Sequence, residues 1–583
     1  MATPDNRIAH LDKPVGDKLE VYKARLHEEL GRPFEYQFEL LSLEPELKAK
    51  DYLGKPMTLM VETRAGDPRP FHGHITRFGQ AGMLGRYTRY FCTVRPFLWL
   101  LTRASNSRIF CGKTVPQIVT EVLKLHGYTD LGNKLEATYE PREYCVQYRE
   151  TDFDFVSRLM EEEGIYYYFL HEAAKHTTVL ADAYSSHKAN KDAEKLPFIP
   201  PHVNSAPREE HVRSWTWAHE VQTAAMAIND FDFESPRSPL LAQFKRPLEH
   251  AHASFEQYDP IAHFVDAHDA KDGKTGDPTA AKRSELFARV RLEELQARFA
   301  RAEAQSNCRA VHVGSLVTLE DHPDGTQNGE HLVVAAEYSV FSPGYDAAIA
   351  KDPKAAEQPT FDLAFTAQPA KIPFRPERST PRPFIPGPHV AIVVGEGEIW
   401  TDKFGRVKVQ FPWDRGKDDD GRKDGAGTCW VRVAQLWAGS GWGGLHVPRV
   451  GQEVIVEFIE GDPDRPIITG RVYNGANLPP FDMPTGATKS GILTRSSKGG
   501  SADNANEIRF EDKKGEEQVF LHAEKNMDTE VENDQTLWVG RDRKKTVDKN
   551  QSEHVKVNKS ITVGGDHAES IAGSKNLDVG KSH

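Results

Sequence analysis

Val547-Asp-Lys-Asn550-Gln-Ser-Glu-His-Val555-Lys-Val-Asn558-Lys-Ser-Ile-Thr-Val563-Gly-Gly-Asp566 keeps a fixed beat: an aliphatic residue every eight positions, a small polar residue three positions later. The aliphatic series is Val531, Val539, Val547, Val555, Val563, Ile571 and Val579, and the polar series is Asp534, Asp542, Asn550, Asn558, Asp566 and Ser574. A period of eight suits no soluble helix, because it lies between the repeats of seven and eleven that make supercoils. It suits a short strand and a turn, with the β-branched residue inward and the Asp, Asn or Ser at the corner. One aliphatic per repeat cannot close a core in one chain, since ordering each residue costs roughly 1–2 kcal/mol of backbone entropy. Several identical chains wound on one axis can. The expectation is a slender trimeric β-prism with the seven octad residues on its axis, a shaft suited to pushing.

Working outward, residues 389–475 hold five short strand patterns: His389–Val394, Val407–Phe411, Trp430–Leu436, Glu453–Ile459 and Ile467–Tyr473. With one charged loop over Asp414–Gly427 they fit a small barrel of the OB type. Residues 366–388 contain Pro369, Pro373, Pro376, Pro381, Pro383, Pro386 and Pro388, which reads as a stiff extended connector. Residues 1–170 alternate apolar and polar, as in Phe34-Glu-Tyr36-Gln-Phe38-Glu-Leu40, and read as a first β-barrel region. A helix over 151–163 interrupts them, capped by Thr151 and ended by Gly164, and a weaker helix covers about Val115–His126. Residues 171–365 read as a second, mixed region, with strands at Thr177–Leu180, Ala225–Phe233, Val311–Leu319 and Leu332–Phe341. A long helix is expected at Ser284–Ala304 and an irregular loop at Asp259–Asp277. Residues 476–507 read as a linker and 508–583 as the shaft. The fold class is mainly β with some α.

The chain has 583 residues, enough for roughly three to five domains of about 100–200 residues. Its 44 Gly and 37 Pro favour strands and loops over helical bundles. A net charge of −12 argues against nucleic acid or an anionic membrane surface as partner. The five cysteines (Cys92, Cys111, Cys145, Cys308 and Cys429) are scattered and suit a reducing cytoplasm. Neither a Sec-type apolar leader nor an apolar run long enough to span a membrane is present in the sequence, so any export is expected by another route.

Four stretches now carry a resemblance. Glu150-Thr-Asp-Phe-Asp-Phe-Val-Ser-Arg-Leu-Met-Glu-Glu-Glu-Gly164-Ile-Tyr-Tyr-Tyr-Phe169 is similar to the signature of VgrG proteins and phage late-control tail proteins. Thr401-Asp-Lys-Phe-Gly-Arg-Val-Lys-Val409 and Trp430-Val-Arg-Val-Ala-Gln-Leu-Trp-Ala-Gly-Ser-Gly-Trp-Gly443 resemble the family's barrel. So does Pro448-Arg-Val-Gly-Gln-Glu-Val-Ile-Val-Glu-Phe-Ile-Glu-Gly-Asp-Pro-Asp-Arg-Pro466. The resemblance covers nearly the whole chain in the family's order. It implies a type VI secretion spike: a hub of β-barrels, an OB barrel and a trimeric β-helix. It also implies an Hcp tube at the hub base, a PAAR-type tip protein with effectors or adaptors at the needle end, and mechanical entry into a target membrane. Such a protein assembles in the cytoplasm and is secreted without a signal peptide. Two departures stand out. The phage counterpart's lysozyme domain has no room between Tyr473 and Ile508, and the octad rhythm runs unbroken to His583, leaving open a plain spike or a longer protein. A phage tail spike and an enzymatic effector remain the alternatives.

Gly439-Ser-Gly441-Trp-Gly-Gly444 satisfies G-x-G-x-x-G but precedes a strand pattern and Pro448, not a helix, so it reads as a barrel loop. His171-Glu-Ala-Ala-Lys-His176 misses the zinc-protease spacing by one residue. His72 and His74 share a strand face without an identifiable third ligand, and His250, His252, His263 and His268 read as solvated. Glu161-Glu162-Glu163 and Asp418-Asp419-Asp420 read as solvated carboxylates, and no pair is nominated for glycoside hydrolysis. The sequence holds no G-x-S-x-G or Walker A motif, and the sequons at Asn550 and Asn558 lack a secretory context. The expectation is no catalytic, cofactor or metal site, and no cofactor.

Overall fold

Phe34, Tyr36, Phe38 and Leu40 are buried, so alternation turns residues 32–42 into a strand with one face in the core. In the computed structural model, which describes residues 8–64, 66–201, 209–265, 280–342, 360–415 and 428–581, this strand lies within a 13-stranded sheet. The main path of that sheet uses β1 (Ala9–Leu11), β2 (Glu20–Glu29), β3 (Arg32–Ser42), β4 (Pro56–Val61), β5 (Arg69–Leu84) and β6 (Tyr87–Arg95). It continues with β7 (Val212–His219), β8 (Ala300–Ser306), β9 (Gly329–Phe341) and β10 (Thr360–Pro369). The order is β1-β4-β5-β6-β3-β2-β9-β10-β8-β7, antiparallel at every step.

Because β2 pairs with β9 from Lys23–Phe341 to Glu29–Ala335, sequence on both sides of residue 170 shares one sheet. The boundary expected there falls inside a hairpin, Tyr166–His171 against His176–Ala181. Its polar turn reads as a linker only when the partner strand is unseen.

The three longest described helices are α1 (Val115–Leu125), α2 (Asp152–Glu163) and α3 (Ala280–Gln296); α1 and α2 share one core, and α3 packs on a separate small sheet that includes Ala225–Ile228. Thr151 caps α2 by accepting the Asp154 N–H at 3.0 Å, and Gly164 ends it with φ +72. The long helix expected to reach Ala304 stops at Gln296. Ala300, Ala302, Ala304 and Ser306 are buried in alternation with more exposed Arg301, Glu303 and Gln305, a period of two that builds β8 instead.

The barrel contains β11 (His389–Val394), β12 (Val407–Gln410), β13 (Trp430–Val433), β14 (Glu453–Phe458) and β15 (Pro466–Val472), closed in the order β11-β12-β13-β15-β14. Ala391, Val393, Val407, Val409, Val431, Val454, Val456 and Ile468 fill it. Most of the expected Asp414–Gly427 loop lies outside the described residues, as does 266–279 of the loop expected at Asp259–Asp277.

The proline-rich segment is not a free spacer. Residues 366–369 belong to β10, Phe374 enters the hub core edge-on to Tyr166, and Ile385 enters the barrel core. It is a strap whose apolar side chains tie two cores together.

The chain divides into two units, Met1–Thr485 and Gly486–His583. The second opens with an antiparallel meander, β16 (Lys489–Leu493), β17 (Glu507–Glu511) and β18 (Gln518–His522). Thus the linker expected over 476–507 already holds a strand, which Ser490 and Gly491 had disguised.

Candidate functional site: the octad segment and the charged junction

Beyond β18 the backbone bends in pairs at 532–533, 540–541, 548–549, 556–557, 564–565, 572–573 and 580–581, eight residues apart throughout. Each pair directly follows an octad aliphatic. The corner therefore lies one and two positions after the aliphatic, not at the small polar residue three positions after it. Gly540, Gly564, Gly565, Gly573 and Gly580 occupy several of these corners, a signal that the polar series had masked.

The seven octad residues share one environment. Val531, Val539, Val547, Val555, Val563, Ile571 and Val579 are all 43–47% exposed, whereas Val557 and Trp538 at other positions are 84% and 86% exposed. Among the described residues, 523–581 exchange no backbone-to-backbone hydrogen bond within the chain. A regular extended backbone with open donors, open acceptors and a repeated half-open apolar row is made to pair with other chains.

In the first unit, α2 carries a buried charged junction. Glu161, Glu162 and Glu163, expected on a solvated face, point inward. Arg32 meets Glu161 at 3.1 Å, and Thr380 donates its N–H and hydroxyl to the same carboxylate, both at 3.0 Å. Arg142 spans Glu162 and Glu163 at 2.9 and 2.8 Å. Arg382 of the strap bridges Glu162 at 2.6 Å and Asp462 of the barrel at 2.9 Å. Burial pushes Glu162 up, but Arg382, Arg142 and Arg158 outweigh it and hold the carboxyl well below its ordinary range. Arg465 chelates Asp230 at 2.9 and 2.6 Å, and Asp464 accepts the Val146 N–H at 2.6 Å. The Gly461-Asp-Pro-Asp-Arg-Pro466 motif is thus the bolt between barrel and hub. Asp418–Asp420 lie outside the described residues.

The histidines fall in three places. His171 and His176 face each other across their hairpin, not along a helix. That brings His176 to His72, Nδ1 to Nδ1 at 2.9 Å, with His74 beside both at ring separations of 5.7 and 5.9 Å. His176 Nε2 accepts the Phe97 N–H at 3.1 Å. Its proton therefore sits on Nδ1 and is donated to His72, which leaves His72 Nε2–H buried and unpartnered among the described residues. Desolvation, then neighbouring imidazoles, pushes His72 down to about 4 and His176 to about 2. No described group of three or more His, Cys, Asp or Glu is placed to hold a metal. His263 pairs with Asp462 at 2.8 Å, His250 is half-buried with its Nε2 accepting the Gln222 N–H at 3.4 Å, His252 is exposed, and His268 is outside the described residues.

An antiparallel hub sheet, a closed five-stranded barrel and a repeat left open by its own chain define a protein of the hub-and-spike class. Family models agree along the chain. The phage tail baseplate hub matches 27–343, the type VI secretion system/phage-baseplate injector OB domain 391–473, and the bacteriophage T4 gp5 C-terminal trimerisation domain 490–583. The type VI secretion system spike protein VgrG1b of Pseudomonas aeruginosa is 44% identical over 93% of this chain and 70% of its own length. VgrG1a of the same organism is 42% identical over 98% of this chain and 87% of its own. A solved E. coli protein, c3393, described as a type VI secretion component structurally similar to phage gp27 and gp5, shares the fold. Its TM-score is 0.54 at 22% identity, over 80% of this chain and 99% of that one. The chain belongs to the VgrG family of type VI secretion system spike proteins. Among the described residues no helix is long and apolar enough to cross a membrane.

Proposed function

We propose that three copies of this chain form the tip of a secretion tube and work by shape, not by catalysis. The observation that carries this reading is the octad segment, whose backbone pairs with nothing in its own chain while its aliphatic row stays half open at every repeat. Three such rows meeting on an axis bury one another and supply the missing strand partners. The hub end seats on a tube of Hcp, the needle end takes a PAAR-type protein and its cargo, and a contracting sheath drives the assembly into a target membrane. The charged junction supports a mechanical part: it spreads one load path over α2, the strap and the barrel. The carboxylates of 161–163 are each held by arginine or threonine partners, which favours a structural role over acid–base work.

Light scattering on the full chain tests the assembly, with three times the mass of one chain expected at micromolar concentration. Hcp in the culture medium tests the role, because removal of the tip should abolish its release. A monomer, or normal Hcp export without this protein, would overturn the reading.

A further inference from the structure

Residues Gln435–His446 contain no Asp, Glu, Lys or Arg, in a chain with 27% charged residues. They form a hairpin in which Trp437 pairs with Gly444 and Ala438 with Gly443. The Gly439 N–H donates to the Trp442 carbonyl at 2.8 Å. A Cβ on Gly439 would fall 2.3 Å from the Trp442 ring, and one on Gly443 would fall 2.4 Å from the Trp437 carbonyl oxygen. The glycines of the G-x-G-x-x-G stretch therefore permit a turn that sets Trp437 edge-on to Trp442, with 4.9 Å between ring centroids. What the turn presents is apolar and open: Leu436, Trp437, Trp442 and Leu445 are 97%, 64%, 58% and 67% exposed.

A second apolar surface lies on the outer wall of the same barrel. Ala391 and Val393 of β11 point inward, so Val390 and Ile392 point out, 45% and 37% exposed. Val390 lies opposite Ile455 and Ile392 opposite Glu453, while Glu453 lies opposite Val472. The register thus sets Val390, Ile392, Ile455 and Val472 across three strands around Glu453, whose carboxylate accepts from the Asn474 side chain at 2.8 Å. Both surfaces remain open within one chain, so neither covers the other.

We propose that the Gln435–His446 hairpin of one copy docks on the β11–β14–β15 outer wall of a second copy, so that the barrels contact one another around the trimer axis. This rests on the trimer reading above. A cyclic trimer needs two different complementary patches per chain, and this barrel carries two. The second copy is also the partner already at hand. The trimerisation match begins at residue 490, and β15 ends at Val472. A chain of roughly 17 residues reaches at most about 60 Å, which keeps neighbouring barrels at high effective concentration. Paired tryptophans without charges have the composition of an interface core.

The test co-expresses two differently tagged full-length chains, one with Leu436→Cys and the other with Val390→Cys, Ile392→Cys or Val472→Cys, followed by mild oxidation. The native cysteines are buried or half-buried and compete little. A mixed disulfide-linked pair with at least one wall position is expected, and it should be lost when Trp442→Ser is added to the hairpin chain. A trimer by light scattering that gives no mixed pair at any of the three positions overturns the docking and leaves the trimer reading standing. So does capture of the hairpin cysteine by a different protein. A monomer by light scattering overturns the trimer reading itself and the docking with it.

Discussion

The barrel at 389–472 and the repeat at 523–581 solve the same problem in opposite ways. In the barrel, β11 meets β14 and the sheet closes on itself, so every strand finds its neighbours in its own chain and Val393, Val409, Val454 and Ile468 are sealed within. In the repeat no strand finds a partner in its own chain, and each aliphatic remains nearly half exposed. The barrel specifies a fold. The repeat specifies an assembly, and its information is carried by a period, not by a set of contacts.

The sharpest way to break that comparison is to place a charge where the aliphatic row should meet its copies. Val555→Asp would set three carboxylates together on the proposed axis, at on the order of 3–5 kcal/mol per unpaired buried charge. Lys556→Asp, one residue along, should be tolerated. Light scattering and thermal melts of the two variants side by side should show loss of the trimer in the first only. Equal behaviour would mean that the octad residues do not face an axis.

A smaller loss is expected in the first unit, where partners are internal. Glu162→Ala removes the carboxylate shared by Arg142 and Arg382 and leaves two guanidinium groups with reduced compensation, costing about 3–5 kcal/mol. Chemical denaturation should show the midpoint of the first unit falling while the mass in native buffer stays trimeric. A change in both would mean that the junction reaches the assembly.

The reach of sequence reading divides along the same line. The repeat was readable because its signal is a period that no distant residue can alter, and β3 because alternation is local. The junction was not. Glu161–Glu163 look solvated until Arg142 and Arg382 arrive from elsewhere in the chain, and Arg382 comes from a segment whose prolines advertise a spacer. Similarly, His72 and His176 are 104 positions apart, and only the hairpin at 166–181 brings them together. The end of α3 is hidden in the sequence because Ala300, Ala302 and Ala304 suit a helix by propensity, whereas β7 and β10, pairing on either side, demand a strand.

The histidine cluster yields a pH effect that the repeat should lack. His72 and His176 are held neutral by burial, so the unfolded chain binds more protons below about 6.5 than the folded chain does. Their contribution is fully present above pH 6.5 and falls as pH drops toward about 4 for His72, and further for His176. The slope is about 1.4 kcal/mol per pH unit for each group still neutral in the fold. Carboxylates such as Glu28, held down to about 2 against burial by His171, Arg69 and Tyr36, add acid sensitivity mainly below their ordinary range near 4.5. In the window from 6.5 to 4.5 buried His187, His312 and His331 act in the same direction, while Asp464, raised by burial and by Asp462, acts in the opposite one. His72→Gln with His176→Gln should remove their share of the slope, so that the melting temperature of the first unit falls less steeply with acid than in the unchanged chain; an unchanged slope would remove the cluster from the account.

The smallest effect should come from an ion pair that occurs twice in the repeat. Glu553 meets Lys559 at 2.7 Å, and Glu569 meets Lys575 sixteen positions on, while the octad between them places Ile561 and His567 at those positions. These pairs rank far below Val555, because all four side chains are about half exposed and water screens their attraction. Lys559→Ala should therefore leave the trimer intact and shift its melting by no more than a small fraction of the Val555→Asp effect, and added salt should erase the difference. A Lys559→Ala variant that dissociated would show that charge pairing between chains, and not the buried aliphatic row, holds the three copies together.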